Sequence, residues 1–343
     1  MRLLNERLHT RILDKKKKLD SLRPLPASVV ESIYRSMQVE YTYNSNAIEG
    51  NTLTLNETKI VIEDGITVGN KPLREVQEIK NHPEAIKFIE AISDGRELTE
   101  HDILTVHQIV LKEVIQEAGR YRTGIVAISG STFQPPPPYE VPFQMQEMIE
   151  RYNRNSDELS PIELATWLHH RFVQIHPFRD GNGRISRLLM NLTLLRYGYP
   201  MAILLRVDRK KYYKALQNAD NGNLAPLANF IASAVEQSLD TYLRAIDPNA
   251  EPLVSIAEAS RGTPFSQEYV SLLARTRRIP ARKIGKNWMV TRSDVREYIE
   301  QRNSRNHHAD TDSNGNAKAN SNPDPDSNPN PNLNSATQPT TSA

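Results

Sequence analysis

The chain has 343 residues, with 43 Lys and Arg against 41 Asp and Glu, nine His and no Cys. The absence of cysteine excludes disulfide scaffolds, cysteine-ligated zinc, iron–sulfur clusters and thiol nucleophiles. A formal net charge of +2 provides no global steering field, so any affinity for nucleic acid must come from a local patch. The length is enough to bury a core without staples. No run of 18 apolar residues occurs, and the opening MRLLNERLHTRIL mixes charges into its apolar positions. Both features argue against a membrane partner or a secretory leader and for a cytoplasmic protein.

The chain reads helical from its start, with Lys15–Lys18 as a solvated face. Apolar residues recur at three- and four-residue spacing in Val29, Ile33, Met37 and Tyr41, and again in Val76, Ile79, Ala85, Ile86 and Ile89. Start signals agree with that pattern. Thr54-Leu-Asn-Glu57 has the form of a capping box, Thr99-Glu-His-Asp102 opens a further helix, and Ser160-Pro161 places proline at a first helical position. One segment departs from it: Ile125–Phe133 is short, β-branched and bounded by Gly124 and Pro135–Pro138, which predicts a small hairpin inserted in a helical domain.

Helical spacing resumes from Leu224 to Leu243 and ends at Asp247-Pro-Asn-Ala-Glu-Pro252, where two prolines among turn formers mark a linker. Leu253–Arg302 then predicts a helix over Ser266–Arg275, a hairpin with Gly-Lys-Asn at its turn, and a last helix from Ser293. From Asn303 to Ala343 the chain is Asn, Ser, Asp, Pro, Thr and Ala-rich without an aromatic residue, and is expected to be disordered. The expected fold class is mainly α: a helical domain over residues 1–247 with a small β-hairpin, a small winged-helix-like domain over 253–302, and a tail over 303–343.

Chemistry concentrates in His176-Pro-Phe-Arg-Asp-Gly-Asn-Gly-Arg-Ile-Ser-Arg187, a loop between two apolar helices that feeds the N-terminus of the second. Gly181 and Gly183 let the backbone approach a ligand with its N–H groups outward, and the helix start adds partial positive charge, so the junction is an anion site. Arg184 and Arg187, three apart, share one face of the first turn. Asp180 offers a hard oxygen ligand suited to Mg²⁺ held mostly by phosphate and water. His176 has the side chain suited to general-base work near neutrality. Together these residues describe phosphoryl or nucleotidyl transfer.

The stretch HPFRDGNGRISR resembles the signature loop of Fic-domain proteins, H-x-F-x-[DE]-G-N-G-R-x-x-R, at every specified position. The resemblance implies a mostly helical Fic fold and transfer of AMP from ATP to a Ser, Thr or Tyr hydroxyl of a protein. His176 would deprotonate that hydroxyl, and Asp180 would hold Mg²⁺. Asn182, Gly181 and Gly183 would cradle the α- and β-phosphates, with Arg184 on the β-phosphate and Arg187 on the γ-phosphate. Phe178 would anchor the loop from within. Relatives that phosphorylate carry lysine at the position of Gly183, and this chain does not.

Ser45-Asn-Ala-Ile-Glu49-Gly50 resembles the inhibitory pattern [ST]-x-x-x-E-[GN] of the same family. One helical turn separates Ser45 from Glu49, so a short helix capped by Ser45 can aim the carboxylate, and the resemblance names Arg187 as its partner. A bidentate pair there would take the donors that a γ-phosphate needs. The same carboxylate could position water for removing AMP, which keeps a de-adenylylating or bifunctional enzyme open.

Residues 120–138 resemble the family's flap, which pairs with an extended target segment by strand addition, so Gly130, Thr132 and Phe133 are expected to meet the target. Ser129, Thr132 and Tyr139 are possible self-modification sites. The 253–302 module carries ten basic residues against five acidic ones and resembles winged helix-turn-helix domains of the excisionase or MerR type. That leaves DNA as a possible partner and a DNA-binding regulator with a nucleotide-sensing body as the alternative function. Relatives of this kind often dimerise, so a homodimer is also open.

Overall fold

The computed structural model describes residues 3–128, 133–155, 158–276, 278–284 and 286–312, with side chains as far as Arg302. Ten helices build the body among the described residues: α1 (Glu6–Ser21), α2 (Ala27–Ile48), α3 (Leu55–Glu63), α4 (Leu73–Ala91), α5 (Glu100–Val110), α6 (Val141–Arg154), α7 (Pro161–Ile175), α8 (Asn182–Arg196), α9 (Arg209–Asp220) and α10 (Ala225–Ile246). Their starts follow local chemistry. Thr54 with Glu57, Thr99 with Asp102 and Ser160 with Glu163 each close a reciprocal capping box, the last with Pro161 at the first helical position.

The arrangement turns on α8. Ile185, Leu188, Leu189 and Leu192 pack into one apolar cluster with Ile86 of α4, Val106 of α5, Met145 of α6 and Phe172 of α7. Met190 and Leu194 pack into a second cluster with Ile12 of α1, Leu216 of α9 and Ile231 of α10. A helix buried on nearly every side is thus the wall between two cores. Since α8 is anchored on both faces, the loop that precedes it is held against a fixed element.

Three expectations meet differences. The α2 helix runs unbroken to Ile48, so Ser45 lies in its last turn and caps no helix start. No Gly or Pro interrupts the chain between Tyr41 and Glu49, and the first residue free to turn is Gly50, at φ 105°. Lys15 is not part of a solvated face: it bridges α1 to α10 through Glu236 at 2.9 Å and Asp240 at 2.7 Å. Residues 125–128 and Phe133 form no strand, because no neighbouring strand meets their backbone among the described residues, and 129–132 lie outside them.

Beyond α10 a small module follows: β1 (Val254–Ser255), α11 (Ile256–Ala259), α12 (Gln267–Arg275), β2 (Arg282–Ile284), β3 (Asn287–Val290) and α13 (Arg292–Asp312). Its antiparallel sheet has the order β1-β3-β2, with Lys283 opposite Trp288. Val270, Leu273, Val290 and Val295 make a core of its own. The α13 helix passes the Asn303 boundary expected for the tail, and the remainder of that tail lies outside the described residues. Among the described residues no helix is long and apolar enough to cross a membrane.

Truncating Leu189 tests the two-sided anchoring. Leu189→Ala is expected to lower unfolding stability by about 2–5 kcal/mol, since the cavity opens in a helix that cannot relax toward solvent. Urea unfolding of the two chains at equal concentration checks it.

Candidate active site

The loop starts from a strained turn. His176 ends α7 in the left-handed region, at φ 48° and ψ 56°, a conformation that costs a non-glycine residue about 1–3 kcal/mol. Arg122 holds it there. Its Nε donates to the His176 carbonyl at 2.8 Å, its backbone N–H to the Pro177 carbonyl at 3.0 Å, and its Nη2 to the Pro136 carbonyl at 2.6 Å.

The His176 ring lies with Nδ1 at 3.2 Å from the Val173 carbonyl. A carbonyl can only accept, so Nδ1 carries the proton and Nε2 keeps its lone pair. Burial, with Arg122 nearby, lowers the His176 pKa below 6.5, which favours the neutral ring.

The next residues fold back on themselves. Phe178 is fully buried and stacks on His107, with ring centroids 3.7 Å apart and planes at 5°. The Asn182 side chain accepts from the Phe178 N–H at 3.0 Å and donates to the Phe178 carbonyl at 2.8 Å, closing the loop into a ring. Its side-chain amide is thereby committed to the backbone, so any contact of Asn182 with phosphate falls to its main-chain N–H. His107 bridges the loop to the chain after α5: Gly119 donates to its Nδ1 at 2.7 Å, so Nε2 is the protonated nitrogen facing the Asp180 carbonyl at 3.2 Å.

Gly181 is the N-cap of α8 at φ 82°, and a Cβ there would meet Leu111 Cδ1 at 3.0 Å. The first intrahelical bond, from Ile185 N–H to the Gly181 carbonyl, leaves the N–H groups of Asn182, Gly183 and Arg184 without intrahelical partners. That end of α8 carries partial positive charge, and the Glu49 carboxylate lies against Gly183, in the space that a Cβ there would enter.

The two arginines stand inside the protein. Arg187, 1% exposed, donates from Nε to the Ser45 hydroxyl at 3.0 Å and from Nη2 to the Ser45 carbonyl at 2.7 Å. Its Nη1 forms an ion pair with Glu49 Oε1 at 2.8 Å. The contact uses one nitrogen and is not aligned as a hydrogen bond, which corrects the expected bidentate pair: the Ser45 hydroxyl and carbonyl already take the other two nitrogens. Arg184 pairs with Glu78 at 3.1 Å and Asp180 at 3.3 Å, and its Nε and Nη1 make no hydrogen bond among the described residues.

Asp180 is also paired with Arg74 and accepts from the Gly181 N–H at 2.5 Å. Burial pushes its carboxyl up, but Arg184, that N–H and Arg74 together outweigh burial and lower its pKa. A cation bound at Asp180 would have to displace Arg74. Among the described residues no group of three His, Cys, Asp or Glu could cage a metal.

A cavity of about 490 Å³ opens beside the loop, lined by His107, Tyr121, Arg122, Thr123, Ile125 and Arg179. A larger groove of about 620 Å³, between α2 and α3, includes no residue of the 176–187 loop.

Residues 97–194 match the Fic/DOC family, and residues 253–303 match a helix-turn-helix domain. A Fic domain-containing signalling protein of Bacteroides thetaiotaomicron has a solved structure that superposes at TM-score 0.65 with 33% identity, covering 69% of this chain and 97% of that one. The chain belongs to the Fic family. The structure of a Fic-1 fragment from C. elegans aligns at TM-score 0.63 and 31% identity, over 69% of this chain and 72% of that one. A protein adenylyltransferase Fic of Nematostella vectensis is 36% identical over 244 residues, 70% of this chain and 56% of the relative. The chain thus spans little more than half the length of the curated relatives it matches first.

Around the Fic loop the structure assembles His176, Phe178, Asp180, Gly181, Asn182, Gly183, Arg184, Arg187, Ser45 and Glu49 in one place. Gly130 and Thr132 lie outside the described residues, and Phe133 is half-buried. Sequence reasoning missed Arg74, Glu78, His107 and Arg122, whose roles come from tertiary contact and carry no local spacing signal. His169 and His170, on the helix before the loop, bond to Tyr212 and Asp220 of α9.

Three buried histidines back the Fic site. Burial holds His82 and His169 down to about 3 and His107 to about 4, with Arg184 or Arg187 adding to each shift. Unfolded, each titrates near 6.5, so the stability they contribute is fully present above that pH and is lost as pH falls toward their folded values. Stability is expected to drop by about 1.4 kcal/mol per pH unit for each, or about 4 in all, once pH falls below about 6. Denaturant unfolding at a series of pH values checks it, and a flat profile between about pH 7 and about pH 5 would contradict the three neutral rings.

Proposed function

We propose that this chain transfers AMP from ATP to a Ser, Thr or Tyr hydroxyl of a protein, itself included, and that Glu49 holds the reaction off. One observation carries the reading: an anion already occupies the place suited to phosphate. The Glu49 carboxylate rests at the N-terminus of α8 against Gly183 and pairs with the buried Arg187. A triphosphate needs the same N–H groups and the same guanidinium.

In the proposed reaction the target hydroxyl passes its proton to His176 Nε2 while its oxygen attacks the α-phosphorus. The bond from that phosphorus to the bridging oxygen breaks, pyrophosphate leaves, and AMP remains on the hydroxyl. The N–H groups of Asn182 and Gly183 hold the α- and β-phosphates, Arg184 the β-phosphate, and Arg187 the γ-phosphate once Glu49 withdraws. Arg122 and His107 keep the base and the loop in position for this alignment. The cavity lined by Tyr121 and Arg179 is large enough to receive the nucleoside.

The chemistry around Asp180 fits Mg²⁺ in one way. A single carboxylate is too sparse for a protein cage and suits an ion that draws most ligands from phosphate and water. Bound there, the ion would neutralise phosphate charge.

Intact mass after incubation with ATP tests the reading. Glu49→Gly is expected to raise AMP incorporation about tenfold or more, equivalent to at least ~1.4 kcal/mol of competition removed. His176→Ala in that background is expected to lower it by about 10²-fold or more. Because the base must be neutral and burial lowers its pKa, the acidic limb of the rate is expected to lie at lower pH than an ordinary histidine would give. An unchanged mass in Glu49→Gly would remove both the activity and its brake.

A further inference from the structure

The wing of the C-terminal module is docked on the body by its cations. Arg282 of β2 pairs with Glu40 of α2, and Lys283, beside it, pairs with Asp208 at 2.9 Å. Lys283 is 12% exposed and Asp208 16%, so this pair is largely enclosed. A third pair, Arg244 of α10 with Asp294 of α13, closes at 2.9 Å. The contact is not a filled apolar interface: a cleft of about 310 Å³ remains between the two parts, lined by Met37, Arg244, Leu253 and Arg282 among others. Ion pairs around an unfilled cleft make a junction that a competing polyanion can open.

Both wing contacts fall on elements that hold the inhibitory turn. Glu40 lies on α2, the helix that ends at Ile48 immediately before Glu49. Asp208 belongs to the short turn Arg206–Asp208. The Arg206 N–H in that turn donates to Asn44 of α2 at 2.9 Å, and Arg209 donates from Nε to the Ile48 carbonyl at 2.7 Å. The docked wing therefore holds α2 directly at Glu40, about two turns before its end, and through the Arg206–Asp208 turn at Asn44.

We propose that the wing is a latch. Docked, Arg282 and Lys283 are covered by body carboxylates that stand where backbone phosphates would, and α2 is clamped with Glu49 on Arg187. Engaged on duplex DNA, the same two cations leave the body and the clamp on α2 is released. Duplex DNA is the favoured partner because a short helix, a second helix and a basic β-hairpin follow in the order of a winged helix-turn-helix, with ten basic residues against five acidic ones. Coupling of this kind is reciprocal: whatever draws Glu49 off Arg187 also favours release of the wing. The link to nucleotide rests on the adenylylation reading above; the competition at the wing does not.

The test uses the full chain and a fluorescently labelled duplex of mixed sequence, read by anisotropy at low and physiological salt. Glu40→Gln/Asp208→Asn is expected to bind the duplex about fivefold tighter or more. Glu147→Gln/Glu150→Gln, which makes the same change of charge on an exposed face of α6, is expected to bind much less tightly than that pair. A non-hydrolysable ATP analogue is expected to bind the unaltered chain more tightly when the duplex is saturating, and Glu49→Gly is expected to abolish that increase. Equal duplex affinity in the two double variants overturns the latch. So does an analogue affinity indifferent to duplex while Glu49→Gly raises it. An analogue that binds neither the unaltered chain nor Glu49→Gly overturns the nucleotide reading instead, and the duplex arm alone then decides the docking.

Discussion

A guanidinium buried in the second turn of a buried helix sets the terms for the rest of this site. Taking an ion out of water costs several kcal/mol even after relaxation, so Arg187 needs an anion wherever one can reach it. Ser45 satisfies two of its nitrogens with neutral oxygens, and Glu49 supplies the charge. The asymmetry of burial gives the pair its use: the arginine is 1% exposed and the carboxylate 32%. The cation is fixed, while the anion stands at the surface, where another can replace it. On the proposed function, phosphate receptor and inhibitor are consequences of one electrostatic demand.

Everything beneath that exchange is held by groups that do not change partner. His107 ties Gly119 to Asp180, Asn182 ties off Phe178, and Arg122 reaches carbonyls on both sides of the flap segment, at Gly124 and Pro136, as well as at His176. These contacts go to backbone, so they fix the loop before any ligand arrives, and positioning is the larger part of what a protein contributes to phosphoryl-group chemistry. The α8 wall between two apolar clusters supplies the stiffness on which they rest.

Much of this was legible in the residues because the information was local. The loop from His176 to Arg187, the capping boxes at Thr54, Thr99 and Ser160, and the order of elements in the C-terminal module each depend on spacing within a few residues. What escaped depends on the chain returning from elsewhere. Arg122 and His107 look like any polar residue of a loop or helix until the fold lays the 176–181 segment across them. The spacing of Ser45 and Glu49 by one turn predicts a cap, whereas the helix has already begun at Ala27. Composition counts the cations of the wing but does not show the acids of the body that meet them.

The glycine at 183 has an implication for how such proteins can diverge. Any side chain at that position would have to stand inside the volume held by the Glu49 carboxylate. A longer residue there has to push the acid aside, so a substitution at 183 and the present contact of Glu49 with Arg187 are coupled. Descendants that keep the glutamate alongside a longer residue have to hold its carboxylate elsewhere.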